Sequence, residues 1–267
     1  MDTSTKALKT SAHKVESLSS YSGFLQPVVE NCLMSSIWQR ALNLKRPSSL
    51  VAILLTVSVT ISLSPNLHNA SRADEKTFDI TSTLKDLEEL AVKGRAPKTG
   101  YSRSAFGPSW SDVDRNGCDT RNDILKRDLI NVTFREKTRD CVVERGVLLD
   151  SFSGETISFV RGEKTSFLVQ IDHVVSLSNA WQTGIFQANI KTRTAFANDP
   201  LNLLAVKGSL NSQKGDGDAA TWLPPNKPFR CAYVARQVAV KKKYGLWVTK
   251  AEKDAIIRIL SSSICRN

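Results

Sequence analysis

Residues 166–175 read SFLVQIDHVV, and how this stretch folds decides the architecture. Ser166 to Ile171 is a short apolar run of strand length, and it leads straight into Asp172-His173. Adjacent strand residues point to opposite faces, so the pair can serve one centre only where the strand ends or bends. The chain has three histidines, His13, His68 and His173. The first two fall in a predicted targeting region, which leaves His173 as the sole histidine of the predicted mature chain.

Downstream, residues 193–216 read RTAFANDPLNLLAVKGSLNSQKGD. Asn202 interrupts the apolar run Leu-Asn-Leu-Leu. Leu203 to Val206 is a short apolar segment, and Ser209 to Lys214 opens a helix. Asn211 and Lys214 then stand one helical turn apart. These residue types suit phosphodiester hydrolysis. An imidazole with a reference pKa near 6.5 takes a proton from water near neutrality, which makes His173 the candidate general base. Asp172 offers a hard anionic oxygen and Asn211 a neutral carbonyl oxygen. Such a sparse oxygen site leaves room for water and phosphate, and it suits one divalent cation, Mg²⁺ first and Mn²⁺ second. Lys214 can approach a phosphate. Arg193 can clamp one bidentately, or pair with an acid such as Asp199. Asp216 has no assigned role.

The order Asp-His, Asn-Leu-Leu, Asn-x-x-Lys resembles the His-Asn-His (HNH) nuclease family. The likeness is nearest to the branch at the C-terminus of GmrSD-type restriction endonucleases and in secreted actinobacterial proteins. It is carried by Ile-Asp-His-Val-Val (171–175), Ala-Trp (180–181), Arg193, Phe-Ala-Asn-Asp-Pro-Leu-Asn-Leu (196–203), Asn-Ser-Gln-Lys-Gly-Asp (211–216) and Trp-Leu-Pro (222–224). The third family position is Asn211 here rather than histidine. The resemblance implies an α+β fold with a ββα-metal core at 165–215, wrapped by further helices and short strands. It implies Asp172 and Asn211 as metal ligands around one divalent cation. It also implies that Asn202 braces the loop holding the catalytic His173.

The net charge of +11 and the pI near 9.5 favour anionic partners. The excess is localised: residues 191–267 hold 14 Lys/Arg against 5 Asp/Glu, whereas residues 74–190 hold 16 against 18. A basic segment following the motif is the footprint of a phosphate-backbone binder. Lys241-Lys242-Lys243 is expected to face solvent. Trp110, Trp181, Trp222 and Trp247 are read as core packing ahead of base-stacking platforms.

Residues 48–64, SSLVAILLTVSVTISLS, carry no charge and follow Arg40, Lys45 and Arg46. Their apolar part of about 16 residues is short for a full span of roughly 20. That layout predicts a signal peptide cleaved after Ala73, with an uncleaved anchor as the alternative. The polar stretch before it is long, and a start at Met34 would shorten it. The expected location is therefore secreted or cell-surface. Cys118, Cys141, Cys231 and Cys265 remain in the mature part, an even number consistent with export. Three pairings exist, and the sequence-local one, Cys118–Cys141 with Cys231–Cys265, is expected. A zinc knuckle is disfavoured, since no Cys-x-x-Cys is present.

The domain reading is a targeting stretch at 1–73, a helix and linker at 74–104, and a nuclease domain at 105–267. Ile80, Leu84, Leu87, Leu90 and Ala91 predict the first helix, capped by Thr81 or Ser82. Asp119–Leu129, Leu177–Thr183, Phe229–Lys243 and Thr249–Ser262 predict further helices. Cys141–Val143, Gly146–Leu149 and Thr156–Val160 predict strands. The expected activity is sequence-tolerant hydrolysis of DNA, with RNA as a second substrate, by a monomer that meets a membrane only through an uncleaved N-terminal segment. One rival is a non-catalytic nucleic-acid or cell-wall binder on a nuclease-like fold. Another is a toxin-like nuclease.

Overall fold

The structure, a computed structural model, describes residues 78–265. The predicted leader, its cleavage site and the alternative start lie outside the described residues. Among the described residues no helix is long and apolar enough to cross a membrane.

The fold is α+β. Helix α1 (Ile80–Glu89) forms where the apolar residues recur at three- and four-residue steps. Its cap is Asp79, not Thr81 or Ser82: the Asp79 carboxylate accepts the Ser82 N–H at 2.6 Å. Leu87 and Leu90 join the core cluster of Val234, Val238, Ile256 and Leu260, which belong to α6 (Arg230–Lys243) and α7 (Lys250–Leu260). A reciprocal capping box between Thr249 and Glu252 starts α7.

Asp119 caps α2 (Thr120–Asp128), and β1 (Leu129–Phe134) follows at once. With β2 (Val143–Leu149) and β3 (Thr156–Val160) it makes an antiparallel sheet in the order β1-β2-β3. The two apolar runs read as separate strands are therefore one strand. Gly146 stands in its middle because a Cβ there would lie 2.7 Å from the Leu129 side chain.

The second sheet carries the motif. Only Val169 to His173 of the predicted strand is extended (β4), since Ser166–Leu168 turns as a 3₁₀ segment. β4 pairs antiparallel with β5 (Leu203–Lys207), in a register that sets Asp172 opposite Leu204 and His173 opposite Leu203. Helix α5 (Gly208–Lys214) continues directly from β5. Between the two strands lie α3 (Leu177–Gln182) and α4 (Ile190–Ala197). The sequence reading missed α4, although Asn189 caps it through the Thr192 N–H at 2.9 Å.

Both expected disulfides are present: Cys118–Cys141 closes a separation of 23 residues and Cys231–Cys265 one of 34. The first ties the loop before α2 to the start of β2. The second ties α6 to the C-terminal turn after α7. Loops of this length constrain the unfolded chain by about 3 kcal/mol each in the chain-entropy account. Reduction is expected to lower the thermal midpoint clearly, and a Cys231→Ser/Cys265→Ser protein of unchanged midpoint would refute this.

Candidate active site

β4 presents two different faces. Val169 and Ile171 pack into the core beneath α2, while Gln170 and Asp172 face α5. The alternation of the strand then sends the Asp172 carboxylate and the His173 ring to opposite sides.

On the α5 side, Asp172 is buried. Its Oδ1 accepts from the Lys214 Nζ at 2.8 Å, and the same ammonium donates to the His173 backbone carbonyl at 2.8 Å. Asp172 Oδ2 is buried with no hydrogen-bond partner. Burial pushes the Asp172 carboxyl above its ordinary value, and the Lys214 charge pulls it back. Asn211, one turn before Lys214, donates its amide to Gln170 Oε1 at 2.9 Å. Asp172, Lys214 and Asn211 thus share one side of the hairpin. Among the described residues no group of three His, Cys, Asp or Glu side chains converges for a metal.

On the other side, His173 is 9% exposed and lines a pocket with Arg103, Ser109, Trp110, Leu177, Ala197 and Asn198. Its Nε2 lies 2.9 Å from the Ala197 carbonyl oxygen. A carbonyl only accepts, so Nε2 carries the proton and Nδ1 is the free base. The Trp110 ring stacks on the imidazole, 6.1 Å between centroids at 19°. Burial pushes the His173 pKa down to about 4; the Ala197 hydrogen bond opposes this, and the Arg103 and Lys214 charges reinforce it. The ring is therefore neutral across the physiological range.

Asn202 is fully buried and grips the segment after His173 with both ends of its amide. Its Oδ1 accepts from the Val175 N–H at 2.9 Å and its Nδ2 donates to the Val175 carbonyl at 3.2 Å. The Val174 N–H donates to the Asn202 carbonyl at 2.8 Å, which extends the hairpin past its last strand pair.

The two cations expected at phosphate are engaged elsewhere. Arg193 donates Nε to Ala105 O at 2.7 Å and Nη1 to Ala188 O at 2.8 Å, with its guanidinium over Trp181. It does not pair with Asp199, which instead takes Lys243 and the Tyr244 hydroxyl. The Lys214 side chain is wholly buried. Asp216 holds Lys98 at the surface. Of the lysine triplet, Lys242 and Lys243 face solvent as expected, where they pair with Asp86 and Glu89 and with Asp199, but Lys241 is buried against Glu252 at 2.8 Å. A lysine on a half-apolar helix reads as exposed unless its buried partner, one helix away, is known.

Trp181, Trp222 and Trp247 pack as the sequence reading favoured, against Phe106, Phe152 and Phe186 respectively. Trp110 also packs, against the core cluster under α2, and in addition it lines the His173 pocket. Arg103, Trp110 and Asn198 were not read as site residues. Two of them precede the motif by some sixty residues or more, and no local spacing links them to His173.

Residues 119–259 match a family model described as the C-terminal domain of GmrSD restriction endonucleases. An uncharacterized secreted protein of Arthroderma benhamiae is 34% identical over 216 residues, which is 80% of this chain and 95% of that protein. No solved structure matches the chain.

Proposed function

The chain belongs to the GmrSD restriction endonuclease C-terminal domain family, and from that membership we propose that it is an exported, metal-dependent HNH nuclease cleaving DNA, and RNA as a second substrate, with little sequence preference. In this reading β4, β5 and α5 are the ββα-metal core. The two disulfides and the secreted relative support export.

One observation carries the proposal: a neutral imidazole whose Nε2 proton is fixed on the Ala197 carbonyl. His173 Nδ1 is then the atom that takes a proton from the attacking water. Asn202 holds the backbone just beyond it, so the ring cannot drift with the loop. Trp110 lies nearly parallel to the imidazole on the same pocket wall.

The donor chemistry fits a hard divalent cation. Asp172 Oδ2 is an orphaned buried oxygen, and Asn211 on the same side of β4 adds an amide oxygen. Asp172 and Asn211 are the residues that would hold the cation; they lie on the side of β4 opposite the His173 ring, so one phosphate can meet both only across the end of the strand. When bound, it supplies Lewis acidity that neutralises charge on the phosphate. Lys214 keeps the Asp172 carboxylate oriented through Oδ1.

The test is incubation of the purified protein with supercoiled plasmid. Millimolar Mg²⁺ or Mn²⁺ is expected to give nicked, linear and then degraded DNA, and EDTA to stop the reaction. Salt-sensitive binding with no cleavage in any divalent cation would instead mark a non-catalytic binder.

A further inference from the structure

We propose that Arg103 is the phosphate-binding residue of the His173 pocket. The inference rests on the nuclease reading of that pocket and names the group that meets the substrate backbone there.

Three observations point to it. Arg103 is the one cation among the residues lining the His173 pocket. It is exposed, and its guanidinium makes no hydrogen bond or ion pair among the described residues. The other basic candidates are engaged: Arg193 on backbone carbonyls and Lys214 on Asp172.

The local structure gives Arg103 a fixed base. It stands in a short 3₁₀ turn, Arg103–Phe106, which the Ser102 hydroxyl caps through the Ala105 N–H. Phe106 is buried, and Arg193 of α4 holds the Ala105 carbonyl. Arg193 is thus a positioning residue that carries the Arg103 turn to the pocket. A guanidinium with a planar fork and no protein partner, at the mouth of this pocket, suits a phosphodiester oxygen pair. The neighbouring Asn198 adds a buried carbonyl oxygen, Oδ1, with no partner, while its Nδ2 donates to the Thr194 carbonyl. The pocket therefore offers the Arg103 guanidinium as its one charged donor, with the Ser109 hydroxyl, Asn198 Oδ1 and His173 Nδ1 beside it.

The experiment is fluorescence-anisotropy titration of the full chain with a phosphorothioate oligonucleotide in EDTA, repeated across salt concentrations. Arg103→Ala is expected to weaken binding about tenfold and to reduce the slope of log affinity against log salt by about one. Arg103→Lys should keep the slope but recover only part of the affinity, since lysine lacks the fork. Arg258→Ala removes one exposed charge outside the pocket and should change neither by as much. Wild-type affinity and slope in Arg103→Ala, or an equal loss in Arg258→Ala, would overturn the inference. A wild-type protein that binds through Arg103 but never cleaves would cost the nuclease reading and leave this one standing. A wild type that does not bind the oligonucleotide overturns both.

Discussion

Replacement of His173 by alanine is expected to reduce plasmid cleavage about 10²–10⁴-fold, the usual contribution of a positioned general base. The expectation follows from the two ring nitrogens having separate tasks. Nε2 is committed to the Ala197 carbonyl, which leaves Nδ1 as the proton acceptor in the proposed reaction. No other histidine is present among the described residues to take over. The variant should remain folded, because the ring sits at the pocket wall and its loss leaves Trp110 half-exposed rather than opening the core. Circular dichroism and the thermal midpoint check that point. Added imidazole should restore part of the rate, since it can occupy the vacated volume and accept the same proton. A folded His173→Ala protein with wild-type cleavage would remove this residue from the mechanism.

Much of this site was legible in the sequence because short-range rules governed it. An asparagine inside Leu-Asn-Leu-Leu must find partners if the run is buried, and Asn202 finds both on Val175. Asp172-His173 at a strand end was expected to serve one centre there, but the hairpin pairing runs through His173 and keeps the alternation, so the two side chains part. The helices α2, α6 and α7 followed from apolar spacing and capping residues. Long cationic side chains were not legible in this way. Arg193, Lys214 and Lys241 reach several ångströms from their backbones, so their partners depend on which elements pack nearby. Tertiary packing turned each of them inward, onto Ala105 and Ala188, onto Asp172, and onto Glu252. Arg103 was invisible for the converse reason. Its neighbours in sequence read as a linker, and only the docking of its turn against α4 brings it to His173.

The largest effect on stability should come from Lys214. Replacing it with methionine keeps the apolar stem but removes the ammonium from between Asp172 Oδ1 and the His173 carbonyl. Both charged side chains are shut off from water, with 0% and 3% exposure. Asp172 Oδ2 already lacks a partner, so in Lys214→Met neither oxygen of the carboxylate keeps a hydrogen bond seen in the structure. Breaking a buried pair on one side costs about 3–5 kcal/mol, because the remaining charge is left uncompensated. The double variant Asp172→Asn/Lys214→Met removes that charge as well, and it should recover much of the loss. Denaturant unfolding of the wild type, both single variants and the double variant gives the coupling directly. Two outcomes would contradict a buried ion pair: a Lys214→Met midpoint within about 1 kcal/mol of wild type, or a double variant as unstable as the sum of its parts. The same series separates folding from chemistry. Asp172→Asn keeps an oxygen for Lys214 but leaves its buried ammonium without a counter-charge, so it should lose stability too, while the double variant recovers stability and, lacking the anionic oxygen proposed for the cation, should stay inactive.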